Sequence, residues 1–98
     1  LKPDAQGSYI NGTWSPIASM INSRLYFSSQ ILKDGRVYVA GGEYGTGGFS
    51  GETYNPLTNS WTACGPQNDF ISDANSEILE DGRVLQAIVQ GNPFLSEN

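Results

Sequence analysis

Residues 33–37 read KDGRV and residues 80–84 read EDGRV. The longer runs around them, SSQILKDGRVYVAGG (28–42) and NSEILEDGRVLQAIV (75–89), keep the same phase. The offset that carries Asp34 onto Asp81 also carries Trp14 onto Trp61, Ser29 onto Ser76, Ile31 onto Ile78 and Leu32 onto Leu79, with Gln30 landing on Glu77. That period falls within the roughly 20–50 residues of repeat architectures, whose units cannot bury their apolar faces alone and must stack on neighbours.

Each repeat centres on a hairpin. β-branched and apolar residues flank Asp-Gly, a dipeptide whose tolerance of positive φ suits the type I′ turn between antiparallel strands. The pattern predicts strands near 26–32 and 36–41, and the run VYVA (37–40) is apolar enough for a strand covered on both faces. A glycine-rich connection follows, GGEYGTGGFSG (41–51). Then come a short strand ending at Asn55-Pro56, where proline cannot donate to a ladder, and a fourth strand in SWTAC (60–64). Four short antiparallel strands make one unit.

Composition agrees with an all-β reading. The chain has 98 residues, only 15% of them charged, with 12 Gly and 5 Pro, a balance that favours turns and short strands. One small domain is the most that this length supports. The net charge of −5 and the scatter of Lys2, Arg24, Lys33, Arg36 and Arg83 argue against a nucleic-acid surface, which needs clustered cations. No apolar run approaches the roughly 20 residues of a membrane helix, and the N-terminal LKPDAQGSYI lacks the regions of a signal peptide. The expectation is a soluble chain with no membrane partner, and a secreted or periplasmic location stays open because it begins at Leu1 rather than Met. The single Cys64 forms no internal disulfide and no multi-cysteine metal site.

Four strands per period, the pair Gly41-Gly42 after the second, the YNP turn and a Trp opening the fourth are the marks of a kelch repeat. Residues 24–64 resemble one whole kelch blade of the bacterial, galactose-oxidase-like kind. The resemblance implies a β-propeller built of four-stranded antiparallel blades. Within 1–98, a single segment, it reads 11–17 as the last strand of a preceding blade, 24–64 as a complete blade and 73–98 as the first half of a following one. Two departures stand out: Ile88-Val89 falls where the second unit should carry its glycine pair, and Tyr26 or Phe27 stands where many kelch blades carry His. Such a segment cannot close a ring, so remaining blades or other copies of the chain are expected to meet its open ends. Structural roles fall to Trp14 and Trp61 between blades, to Asp34, Gly35, Asp81 and Gly82 in the turns, and to Gly41 and Gly42 where neighbouring backbones approach.

Strand parity places function. The loops after the second and fourth strands emerge at one end, and the tight turns at the other. The long loops 18–24, 41–51 and 64–73 therefore share a face, and loops on a rigid scaffold are where binding residues collect. The candidates are Glu43, Tyr44, Phe49, Asn68, Asp69 and Phe70, with a protein or a glycan as ligand. Tyr44 leads, because its ring pairs apolar area with a hydroxyl. The competing reading folds Phe49 and Phe70 back over the blade edge.

Other chemistries fail. Gly45-Thr46-Gly47 starts a dinucleotide-type pattern, but Ser50 takes its third glycine position and a strand follows instead of a helix. Asp69, Asp73, Glu77 and Asp81 would line one face of a helix, yet a strand gives that spacing no catalytic meaning, and no calcium-loop pattern is present. The chain has no His, which removes the usual general base and the commonest transition-metal ligand. The radical copper oxidases of the resembled family use two His ligands and a Tyr bonded to a Cys, so this segment is expected to carry no catalytic site, metal or cofactor. Cys64, at a strand end, reads as a small packed residue. The leading expectation is a non-catalytic interaction scaffold; the runner-up is a structural piece of a secreted galactose-oxidase-like enzyme whose active site lies elsewhere.

Overall fold

A computed structural model describes residues 1–89 and 94–96. Strands β1 (Ser28–Ile31), β2 (Val37–Ala40), β3 (Ser50–Asn55) and β4 (Ser60–Gln67) form one antiparallel sheet in chain order. Strands β5 (Ser76–Ile78), β6 (Val84–Gln86) and β7 (Phe94–Leu95) form a second, also antiparallel. No helix occurs among the described residues. The fold is all-β, and the complete unit is the expected four-stranded blade.

The hairpin turns differ from the type I′ expectation. Only the glycine of each Asp-Gly pair takes positive φ, 90° at both Gly35 and Gly82. Gly35 N donates to Leu32 O at 3.0 Å and Leu32 N to Arg36 O at 2.8 Å, and Gly82, Leu79 and Arg83 repeat the pattern at 2.9 and 2.7 Å. This is the three-residue loop of a type I turn closed by a left-handed glycine. What the repeat preserves beyond the glycine is a clip. Asp34 accepts from the Arg36 backbone N–H at 3.1 Å and from its Nε at 2.8 Å, as Asp81 does from Arg83 at 3.0 and 2.7 Å. These bonds from the arginine, backbone first, hold both exposed aspartates below the usual carboxylate range. A Cβ on Gly35 would meet nothing within 4 Å, so Gly35→Val tests conformation alone. It is expected to cost about 1–2 kcal/mol through its left-handed φ, read as a lower midpoint in urea; an unchanged midpoint would refute the turn assignment.

The core lies between the two sheets. Leu32, Tyr38, Ala40, Ile71 and Val84 are buried there, with Cys64, Ala74, Ile78 and Ile88 packed around them. Ile71, fully buried, comes from the loop after β4 and plugs the space between sheets, a burial worth about 1.5–3 kcal/mol. Polar bonds fix the sheets' relative position. Gln86, also fully buried, accepts from Tyr38 Oη at 3.0 Å and Ser28 Oγ at 2.9 Å and donates to Ala87 O at 2.8 Å. Gln30 Nε2 donates to Ser76 O at 2.9 Å. Burial pushes the Tyr38 phenol well above its ordinary value, so it stays a neutral donor to Gln86. Cys64 is half-buried, and desolvation pushes its thiol up, which suits packing and not nucleophilic attack.

Three sequence expectations shift. The strand expected within 11–17 is a single bridge, with Lys2 and Thr13 exchanging bonds of 2.9 and 2.8 Å; a strand needs a partner edge along its length, and here one residue pair supplies it. Trp14, expected between blades, is 79% exposed because the segment carrying it joins neither sheet. The second unit gains β7, which pairs Leu95 with Leu85 and Phe94 with Gln86, so that half-blade has three strands among the described residues. Trp61, also expected between blades, packs its ring on Tyr54 of the same sheet at 5.1 Å, and its Nε1 donates to Ala18 O at 2.7 Å.

Candidate functional site

The long loops do converge, and a residue pair that the sequence reading passed over holds them. Arg24 lies in the loop leading to β1 and Glu52 in the middle of β3, and their side chains are 0% and 1% exposed and 2.8 Å apart. Arg24 Nη1 donates to three carbonyls of the glycine loop, Gly41 at 3.0 Å, Gly47 at 2.9 Å and Ser50 at 2.6 Å. Glu52 takes Nε and Nη2 of Arg24 at 3.1 and 2.8 Å, and also the backbone N–H groups of Ile21 at 2.7 Å and Asn22 at 3.1 Å. One buried ion pair therefore ties 18–24 to 41–51. A fixed guanidinium fork suits this task, since its donors point at several acceptors at once. The signal in the sequence was a glutamate inside a short strand, where an unpaired charge would be costly.

The third loop joins through backbone bonds. Gly42 N donates to Ser72 O at 2.7 Å, while Ile71 N and Ser72 N both donate to Gly48 O, at 2.8 and 3.0 Å. Glu43 N reaches back to Leu25 O at 2.8 Å and Thr46 Oγ1 accepts from Leu25 N at 2.8 Å. Where the loop meets β4, a register shift between Ser50 and Gly51 opens a bulge. Gln67 Nε2 fills it by donating to Gly51 O and Cys64 O at 3.0 and 2.9 Å.

A pocket of about 460 Å³ opens over this scaffold, walled by Tyr44, Phe49 and Phe70, with Asn22, Glu43 and Ser72 among its polar residues. That volume is in the range of small-ligand sites. Four of the six candidates thus meet. Asn68 and Asp69 are exposed and outside the lining, because the loop turns inward only at Ile71. Phe49 and Phe70 pack on each other at 5.2 Å yet stay 55% and 38% exposed, so they form a wall and are not folded away. Tyr44, 80% exposed, holds a left-handed φ of 54° and sits edge-on to Tyr26 at 6.1 Å. A non-glycine residue in that region costs about 1–3 kcal/mol and persists only where its surroundings impose it. Desolvation, reinforced by the neighbouring Asp73 carboxylate, raises the Glu43 carboxyl above its ordinary value.

The copper centre implied by the oxidase resemblance needs imidazole ligands, and a chain without His does not fit it.

Comparison with known proteins bears on the same stretch. Residues 32–68 match the family model for the Kelch motif; they run from the first hairpin turn to just past β4. Spermatocyte protein spe-26 of Caenorhabditis elegans is 33% identical over 91 residues, which cover 85% of this chain and 16% of that protein. Galactose oxidase of Gibberella zeae is 40% identical over 53 residues, 52% of this chain and 8% of that protein. The chain spans only a small part of either relative. With the four-stranded antiparallel blade, its glycine pair and its motif match in register, the chain is a kelch-repeat segment of a β-propeller.

Proposed function

We propose that this segment is a non-catalytic interaction scaffold that holds a protein or glycan ligand on its long-loop face. The observation that carries the reading is the meeting of Glu43, Tyr44, Phe49 and Phe70 around one pocket whose loops are fixed from beneath by the Arg24–Glu52 pair. Preorganised loops bind better because less ordering remains to be done on association. On the same reading, exposed apolar side chains such as Trp14, Ile17 and Ile31 meet further blades or other copies of the chain.

Peptide and glycan arrays probed with the 98-residue chain, alongside Tyr44→Ala and Trp14→Ala, test this. Tyr44→Ala is expected to weaken the strongest array signals at least tenfold, since a ring at the centre of a site is the usual anchor, while Trp14→Ala leaves them unchanged. Signals that survive Tyr44→Ala, or no signal at all, would overturn the assignment of this face.

A second reading has one observation in its favour, the 40% identity to galactose oxidase across 53 residues. It makes the segment a structural blade of a secreted oxidase-like enzyme, with copper ligands supplied by other blades. His residues in further blades of the same reading frame would support it. Their absence would remove it.

A further inference from the structure

The pocket's chemistry narrows the ligand class. Its lining contains Glu43 and no Lys or Arg. The one cation beneath it, Arg24, has its side chain fully buried and committed to Glu52 and the loop carbonyls, so it offers nothing to an anion. Its other polar side chains are neutral: the hydroxyls of Tyr44, Ser50 and Ser72 and the Asn22 amide, which donates to Ser50 Oγ at 3.2 Å. Asp73 stands beside Glu43, and Asp69 is exposed on the same loop.

The remaining cations near the sheets are remote from the pocket and two of them are paired with aspartates. Lys33, Arg36 and Arg83 all sit at the hairpin turns, the end of the sheets opposite the pocket. The walls are aromatic faces, with Tyr44 widely exposed. A carboxylate in the lining, aromatic walls and no cation among the lining residues together form a site for a positively charged, donor-rich group, which gains from both the carboxylate and the ring quadrupoles. A neutral sugar would leave the Glu43 charge without a counter-charge, and an acidic peptide would face it with nothing to pair it.

Resting on the proposed function, we infer that the pocket bounded by Tyr44, Phe49, Phe70 and Glu43 takes the side chain of a lysine or arginine presented by a basic peptide segment. The carboxylate of Glu43 receives the ammonium or guanidinium, and the rings cover its aliphatic stem.

The test is an NMR titration of the whole 98-residue chain with blocked Gly-Arg-Gly and Gly-Lys-Gly peptides. Their uncharged counterparts, carrying citrulline and norleucine, and methyl β-galactoside are titrated in parallel. The expected result is saturable shifts at the amides of Tyr44, Gly45 and Phe70 with the charged peptides, at least tenfold weaker with the uncharged ones. Glu43→Gln should weaken the charged peptides at least tenfold while its melting temperature does not fall, since it removes a carboxylate crowded by Asp73. Asp73→Asn, a second variant outside the lining, should weaken them in the same direction by a smaller factor. Equal binding of arginine and citrulline peptides, or full binding by Glu43→Gln, would overturn the cationic class and leave the pocket as a binding site. Shifts from the galactoside alone would do the same. No shift at these amides with any probe would overturn both this inference and the function proposed for the face.

Discussion

Glu52→Ala is expected to cost about 3–5 kcal/mol, the range for removing one partner of a buried ion pair. Against a total stability of about 5–15 kcal/mol for an ordinary domain, that leaves the chain near its unfolding threshold. The reason lies in what remains. Arg24 would keep its charge in a site where its side chain has no exposure, and the backbone donors of Ile21 and Asn22 would lose the carboxylate that now accepts from them. Urea denaturation followed by tryptophan fluorescence measures the loss, because Trp61 reports on β4 directly. A paired change, Glu52→Leu with Arg24→Met, should recover much of it, since an apolar pair of similar size carries no stranded charge. The double variant should still disorder the glycine loop, whose carbonyls at Gly41, Gly47 and Ser50 would lose their donor. A cost below about 1 kcal/mol for Glu52→Ala, the range of an exposed pair, would show that solvent reaches this pair.

The contrast between that pair and the hairpins explains what the sequence could and could not say. The DGRV repeat is local. Its turn, its clip and its glycine lie within five residues, so the strands on either side were legible with their order and parity. The turn subtype was not, because Asp-Gly is compatible with more than one loop, and the choice rests on the φ of the aspartate. Arg24 and Glu52 are 28 residues apart, and nothing in either neighbourhood announces a partner; in the sequence Arg24 was one of five scattered cations. Parity found the pocket's face and four of its residues. It overreached at Asn68 and Asp69, because a loop's polarity does not reveal where it turns inward, and the residue that anchors that loop is the apolar Ile71. Trp14, expected between blades, shows a related limit. A repeat predicts equivalent residues, whereas burial needs a neighbouring sheet, and the stretch around Trp14 makes only the bridge at Thr13.

Gly42→Ala is expected to be the other severe lesion, at about 3 kcal/mol or more, from backbone strain together with overpacking. A Cβ built there would stand 1.7 Å from the carbonyl oxygen of Thr46, at a φ of 146°. The obstacle is backbone, so no rotamer change relieves it. Gly41 is constrained in the same way, its Cβ falling 2.3 Å from Ser72 O. Gly45 separates the two causes, since it shares a positive φ of 79° but has open space around its Cβ; Gly45→Ala should cost only about 1–2 kcal/mol. The pair therefore lets the glycine loop close on itself and on the loop after β4. Ile88 and Val89 hold the equivalent places in the second unit, and there Val89 N donates to Phe70 O at 2.8 Å while Gly42 N donates to Ser72 O at 2.7 Å. Both units thus grip the same short stretch of the loop after β4, one through a backbone that tolerates no side chain and one through a backbone that carries them. Thermal melts of the three glycine variants decide the matter: similar losses at Gly42 and Gly45 would mean that conformation alone explains the pair, whereas a much larger loss at Gly42 would mean that loop closure beneath the pocket selects it.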